Sequence, residues 1–77
     1  MSLVDEVRMD QALPLPSPRR AHAIRLAADV TVRQVASELG VSPATVTRWE
    51  AGRCAPRRRH RRAYAELLAQ LRTVVAA

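Results

Sequence analysis

Two helix boundaries only three residues apart constrain this 77-residue chain more than any other feature. Gly40 stops one apolar-periodic segment, in the left-handed conformation that glycine adopts cheaply, and Ser42-Pro43 starts the next. Upstream, Thr31-Val-Arg-Gln34 has the form of a capping box, with Thr31 bonding forward and Gln34 reaching back. Val32, Val35, Ala36 and Leu39 then recur at i, i+3, i+4 and i+7, one face of a helix. Downstream, Val46 and Trp49 point inward, three apart, before Gly52 closes the segment. Two helices of about two turns each, joined by Gly40-Val41-Ser42, are linked too tightly to lie antiparallel. A steep crossing suits them.

The flanks supply two more helices. Ser17 at the cap and Pro18 at the first helical position open one, with Ile24, Ala27 and Ala28 facing inward and Asp29-Val30 at its end. After the loop Arg53-Cys54-Ala55-Pro56, a final helix is expected over 58–75, with an apolar stripe of Ala63, Tyr64, Leu67, Leu68, Leu71, Val74 and Val75. Pro14, Pro16 and Pro18 push their predecessors toward extended geometry and rule out helix through Leu13–Ser17. Residues 1–16 therefore read as an acidic, partly ordered N-terminal arm, in which Ser2 caps a short helix carrying Leu3, Val4 and Val7. Residues 17–77 read as one domain. The expected fold is all-α: a small bundle of four main helices with an N-terminal arm. A chain this short buries only about 60% of its unfolded surface, so the core must be compact.

Charge narrows the partners. All thirteen basic residues are Arg, against seven acidic residues, for a net charge of +6. Residues 1–16 hold Asp5, Glu6 and Asp10 against Arg8 alone, whereas residues 17–77 hold twelve Arg against Asp29, Glu38, Glu50 and Glu66. Such a field attracts polyanions, and the planar guanidinium fork suits phosphate oxygens and the guanine edge. A solvated, solubilising charge is the plainer alternative.

Residues 31–52, TVRQVASELGVSPATVTRWEAG, resemble the Cro/repressor-type (XRE-like) helix-turn-helix family of bacterial and phage regulators. Ala36, Gly40, the Val41-Ser42 turn, Val46 and Trp49-Glu50-x-Gly52 carry the resemblance, which covers about residues 17–57. It implies a lambda-repressor-like domain with the helix-turn-helix at 31–50, and sequence-specific binding of double-stranded DNA by a small transcriptional regulator or repressor that inserts helix 43–51 into the major groove. Asp29, Val32 and Pro43 depart from the family, which usually has Gly, Gln and a polar residue there. Readout is therefore expected to be sparse and to lean on Arg48 and DNA shape.

With Val46 and Trp49 turned inward, Ala44, Thr45, Thr47 and Arg48 share the outer face. Arg48 is the expected base reader, bidentate to guanine O6 and N7, with a phosphate contact or a solvated charge as its alternatives. Ala44 is suited to a thymine methyl, and Thr45 and Thr47 to a phosphate or base edge. Ser42 and Pro43, at a helix N-terminus, favour a phosphate. The resemblance nominates Arg33, Arg53 and the tract Arg57, Arg58, Arg59 and Arg61 as further phosphate contacts.

Other chemistry finds little support. Cys54 and His60 fall short of a zinc site, His22 and His60 have no carboxylate arrangement resembling a triad, and no Gly-rich phosphate loop is present. No enzyme, metal or cofactor is expected. A single cysteine permits no intramolecular disulfide and fits a reducing cytoplasm. No apolar run approaches the ~18–20 residues that span a bilayer, and no secretory signal is apparent. A homodimer through Leu67, Leu68, Leu71, Val74 and Val75, or through the arm, is open. The competing functions are an excisionase-like architectural factor that bends DNA, and a protein-interaction module such as an antitoxin.

Overall fold

A computed structural model describes residues 14–76, and among them the chain forms four α-helices and no strand: α1 Pro18–Ala27, α2 Val32–Leu39, α3 Pro43–Glu50 and α4 Arg58–Ala76. The expected arm helix at Ser2–Val7 lies outside the described residues. The helix starts follow the local chemistry of the sequence. Ser17 Oγ accepts from the Arg20 amide at 3.2 Å and Ser42 Oγ from the Thr45 amide at 3.2 Å. At Thr31 the capping box is complete: Thr31 Oγ1 accepts from the Gln34 amide at 3.0 Å, and the Thr31 amide donates to Gln34 Oε1 at 2.8 Å. Each satisfies amides that a helix start otherwise leaves orphaned.

The three short helices close in the same way. Val30, Val41 and Arg53 donate backbone N–H bonds to the carbonyls of Arg25, Ala36 and Arg48 at 3.2, 3.0 and 3.0 Å. The residue before each is left-handed: Asp29 at φ 57°, Gly40 at φ 70° and Gly52 at φ 73°. This is the six-to-one closure of a helix C-terminus, with Asp29 holding a geometry that glycine adopts more easily. Val30 and Val41, just past their turns, pack against the core. A Cβ at Gly40 would meet nothing within 4 Å, so only the backbone resists it. Gly40→Ala is expected to cost about 1–2 kcal/mol in a denaturant titration, the penalty for an L-residue held left-handed. An unchanged midpoint would show that the turn relaxes elsewhere.

α2 and α3 pack across the turn, while α1 lies against α3 and α4. Ala21 and Ile24 of α1, Val35 and Ala36 of α2, Val46 and Trp49 of α3, and Tyr64 and Leu68 of α4 form the core. Ala36, 1% exposed, lacks the bulk that would hold α3 away from α2. Leu15 also packs on this core, although it lies between Pro14 and Pro16 and falls in the stretch expected as an arm.

Two apolar stripes differ from expectation. Ala27 is exposed and Ala28 half-buried; the inward face of α1 runs Ala21, Ile24, Arg25, Ala28, at i, i+3, i+4 and i+7. A charged residue occupies the place a hydrophobic reading skips, because it finds a partner inside. In α4, Tyr64, Ala65 and Leu68 are buried, Ala63 is exposed, and Val74 and Val75 stand 68% and 48% exposed. A 19-residue helix extends about 28 Å, longer than the short helices it covers, and toward its end Arg72 and Val75 flank a shallow cleft with Ile24 and Ala27 of α1. Leu68 is fully occupied in its own core and is not available to a second copy, which corrects its place in the expected dimer surface.

Candidate nucleic-acid interface

α3 presents two faces of opposite character. Val46 is fully buried and Trp49 is 4% exposed, with the Trp49 ring 4.9 Å from that of Tyr64 and 6.2 Å from that of His60. Those contacts fix the rotation of a helix only eight residues long. On the other side Ala44, Thr47 and Arg48 are exposed and Thr45 is half-buried. The Thr47 hydroxyl donates to the Pro43 carbonyl at 3.1 Å, and the Thr45 and Ser42 hydroxyls lie 2.9 Å apart. Both threonines thus support the first turn of α3, with lone pairs still available outward. Arg48 forms no side-chain hydrogen bond or ion pair among the described residues, leaving its donors unsatisfied by protein.

The far end of α3 is held by a clasp that sequence reasoning missed. Arg25 Nε donates to Glu50 Oε2 at 2.7 Å and Arg25 Nη2 to Glu50 Oε1 at 3.0 Å, a bidentate pair between α1 and the last residue of α3. Arg25 Nη1 also donates to the Val30 carbonyl at 2.9 Å, tying in the turn before α2. His22 Nδ1 lies 2.6 Å from Glu50 Oε1, so a carboxylate stands beside His22. The third member is Arg25, where a triad would need a hydroxyl or thiol. The Arg25 and Glu50 side chains are 10% and 7% exposed. Burial pushes the Glu50 carboxyl up, but the hydrogen bonds from Arg25 and His22 outweigh it and hold Glu50 below its ordinary value. Hydrogen bonding to Glu50 likewise raises Arg25. Nearby, the Tyr64 hydroxyl is buried without a partner among the described residues, and burial together with the Glu50 charge pushes it up to about 12. No local sequence signal joins residues 25 positions apart; only the Trp49-Glu50-x-Gly52 pattern marked Glu50 at all.

The remaining expected contacts divide by position. Arg33, Ser42, Pro43, Arg53, Arg57, Arg58 and Arg59 are exposed, and Arg61 is half-buried. Ser42, Thr45, Arg48, Arg57 and Arg59 meet around one cleft, which Ala44, Thr47, Arg33, Arg53, Arg58 and Arg61 do not line. Arg62 is paired with Glu66 at 3.1 Å, one turn on. Among the described residues no cluster of His, Cys, Asp or Glu is arranged to hold a metal, and no helix is long and apolar enough to cross a membrane.

The family model for a homeodomain-like domain matches residues 15–66, which takes in α1, α2, α3 and the first half of α4. No curated protein and no solved structure gives a significant match. The matched family is the homeodomain-like one rather than the Cro/repressor family that residues 31–52 resemble; the two share the helix-turn-helix. The match covers two thirds of the chain, and the protein belongs to the homeodomain-like family of helix-turn-helix DNA-binding domains.

Proposed function

We propose that the protein binds double-stranded DNA sequence-specifically, as a small transcriptional regulator of the repressor kind, with α3 lying in the major groove. The observation that carries this reading is the outer face of α3: Ala44, Thr47 and an unpaired Arg48 exposed on a helix whose opposite side is locked by Val46 and Trp49. The major groove admits a helix and displays base edges to such a face. Arg48 reads a guanine; Ala44, Thr45 and Thr47 supply apolar or hydroxyl contacts to bases. Ser42, Pro43, Arg33, Arg53 and the arginine tract supply the backbone contacts that position the helix without reading sequence. The Cro/repressor resemblance of residues 31–52 supports the regulatory role. An excisionase-like bending factor normally carries a strand wing after the motif, and here residues 53–57 lead directly into α4, which weighs against that reading.

Arg48→Ala is expected to cost about 1–3 kcal/mol on the preferred site and to relax preference at one base pair. An equal loss on preferred and random duplexes would reduce Arg48 to a phosphate contact. The test of the whole reading is selection of bound sites from random duplex DNA. A shared preferred sequence supports it, and a chain that enriches none refutes it. Half-sites about one helical turn apart in a palindrome would indicate a homodimer, for which exposed Val74 and Val75 at the end of α4 offer the surface.

A further inference from the structure

The cleft between the helix-turn-helix and the start of α4 has a volume of about 470 Å³, and Arg48, Arg57 and Arg59 line it with no acidic side chain in its walls. The acids of the described residues are placed elsewhere. Glu50 is held by Arg25 and His22, Glu66 by Arg62, and Asp29 and Glu38 stand exposed outside the cleft wall. The other acids of the chain, Asp5, Glu6 and Asp10, all precede Leu15. Leu15 and Pro16 line a second, apolar cleft of about 210 Å³ together with Trp49, Cys54 and Ala55. Those last three residues line the arginine cleft as well, so the acidic stretch is tethered next to the arginines. Fully extended, the chain from Leu15 reaches roughly 17 Å to Asp10 and roughly 34 Å to Asp5, ample for either to enter the cleft.

We infer that residues 1–13 lie back into this cleft, with Asp5, Glu6 and Asp10 as the counter-charge of Arg48, Arg57 and Arg59, and compete there with duplex DNA. The docking stands on charge and placement; the competition rests on the DNA-binding reading and deepens it, by giving that site a regulator on its own chain. Charge selects this occupant. Three guanidinium groups converge where the folded domain offers no carboxylate, and the segment joined beside them carries three carboxylates against Arg8 alone. Tethering strengthens a weak attraction, because a short linker holds the segment at millimolar effective concentration. Pro14 and Pro16 fix φ on either side of Leu15, which lowers the entropy lost on docking. Thr45 and Arg48 line the same cleft, so a seated segment shuts off base reading as well as backbone contact.

Cys54, the single cysteine of the chain, is exposed and lines the cleft, so its reaction with a neutral maleimide reports the cover without DNA. In the full chain, Asp5→Asn with Glu6→Gln and Asp10→Asn is expected to speed that reaction several-fold. Raised salt should speed the parent in the same way, since exposed charge pairs are screened. Asp29→Asn with Glu38→Gln and Glu66→Gln makes the same change in net charge and should leave the rate at the parent's. The arm variant is also expected to bind duplex about three- to tenfold more tightly than this matched variant, the gain from freeing a cleft covered in most molecules. Equal maleimide rates for the parent and both variants, or equal duplex affinities for the two variants, overturn the inference while leaving DNA binding intact. Protection that fades on dilution overturns it too, since the segment would then come from a second copy. A chain that binds no duplex at low salt removes the competition together with the proposed function, while the maleimide rates still decide the docking.

Discussion

Glu50→Ala lowers the unfolding free energy by about 3–5 kcal/mol, the usual cost of removing one partner from a buried ion pair. The guanidinium of Arg25, on a side chain 10% exposed, would be left with the Val30 carbonyl and the His22 ring and no counter-charge. A chain of 77 residues has about 4–12 kcal/mol of stability in all, so the variant loses roughly a quarter of it or more. Thermal and urea melts measure the loss directly, and a melt within a degree or two of the parent would refute the clasp. Replacing both partners with apolar residues, Arg25→Met with Glu50→Leu, should recover much of it, because the penalty comes chiefly from the stranded charge. The pair also gives stability a direction in pH. Glu50 sits below its ordinary value of 4.5 in the folded protein, so its contribution is fully present above that value and is lost as pH falls through the lower native one. Glu50→Gln should accordingly show a shallower loss of stability below about pH 4.5 than the parent.

Trp49→Ala is expected to cost a further 3–5 kcal/mol by a separate route, the roughly common price of deleting a large buried aromatic. Trp49 is the only tryptophan, is 4% exposed, and touches Tyr64 and His60 from α4. Its removal leaves Val46 as the one fully buried side chain of α3, which no longer fixes the helix in rotation. Circular dichroism and calorimetry report the stability loss; where the variant still folds, duplex affinity should fall even though Trp49 faces away from the groove. Trp49→Phe, which keeps an aromatic ring against Tyr64, should cost less. Equal melts for Trp49→Ala and the parent would mean that α3 is held by its turn and its clasp alone.

Much of the architecture is legible in the sequence, for a reason that varies by element. The starts at Ser17, Thr31 and Ser42 and the stops at Gly40 and Gly52 depend on hydrogen bonds spanning three to five residues, and such bonds are written in neighbouring side chains. The inward pairing of Val46 with Trp49 followed from their spacing on one short helix. Ala27 and Ala63 face outward against the periodic reading because periodicity identifies a face and not what covers it. Arg25 was overlooked for the converse reason: a charge on the inner face looks like an interruption until its counter-charge is located.

What the chain alone determined is where its helices begin, where they end and which side of α3 turns inward, since each rests on contacts within a turn or two. What only the tertiary structure decided is which distant charges meet: Glu50 with Arg25 and His22, and Arg48 with Arg57 and Arg59 but not Arg58. Burying or clustering a charge is unfavourable by itself and becomes stable only against a particular partner. That partner is set by the angles at which the helices cross, which no local pattern contains.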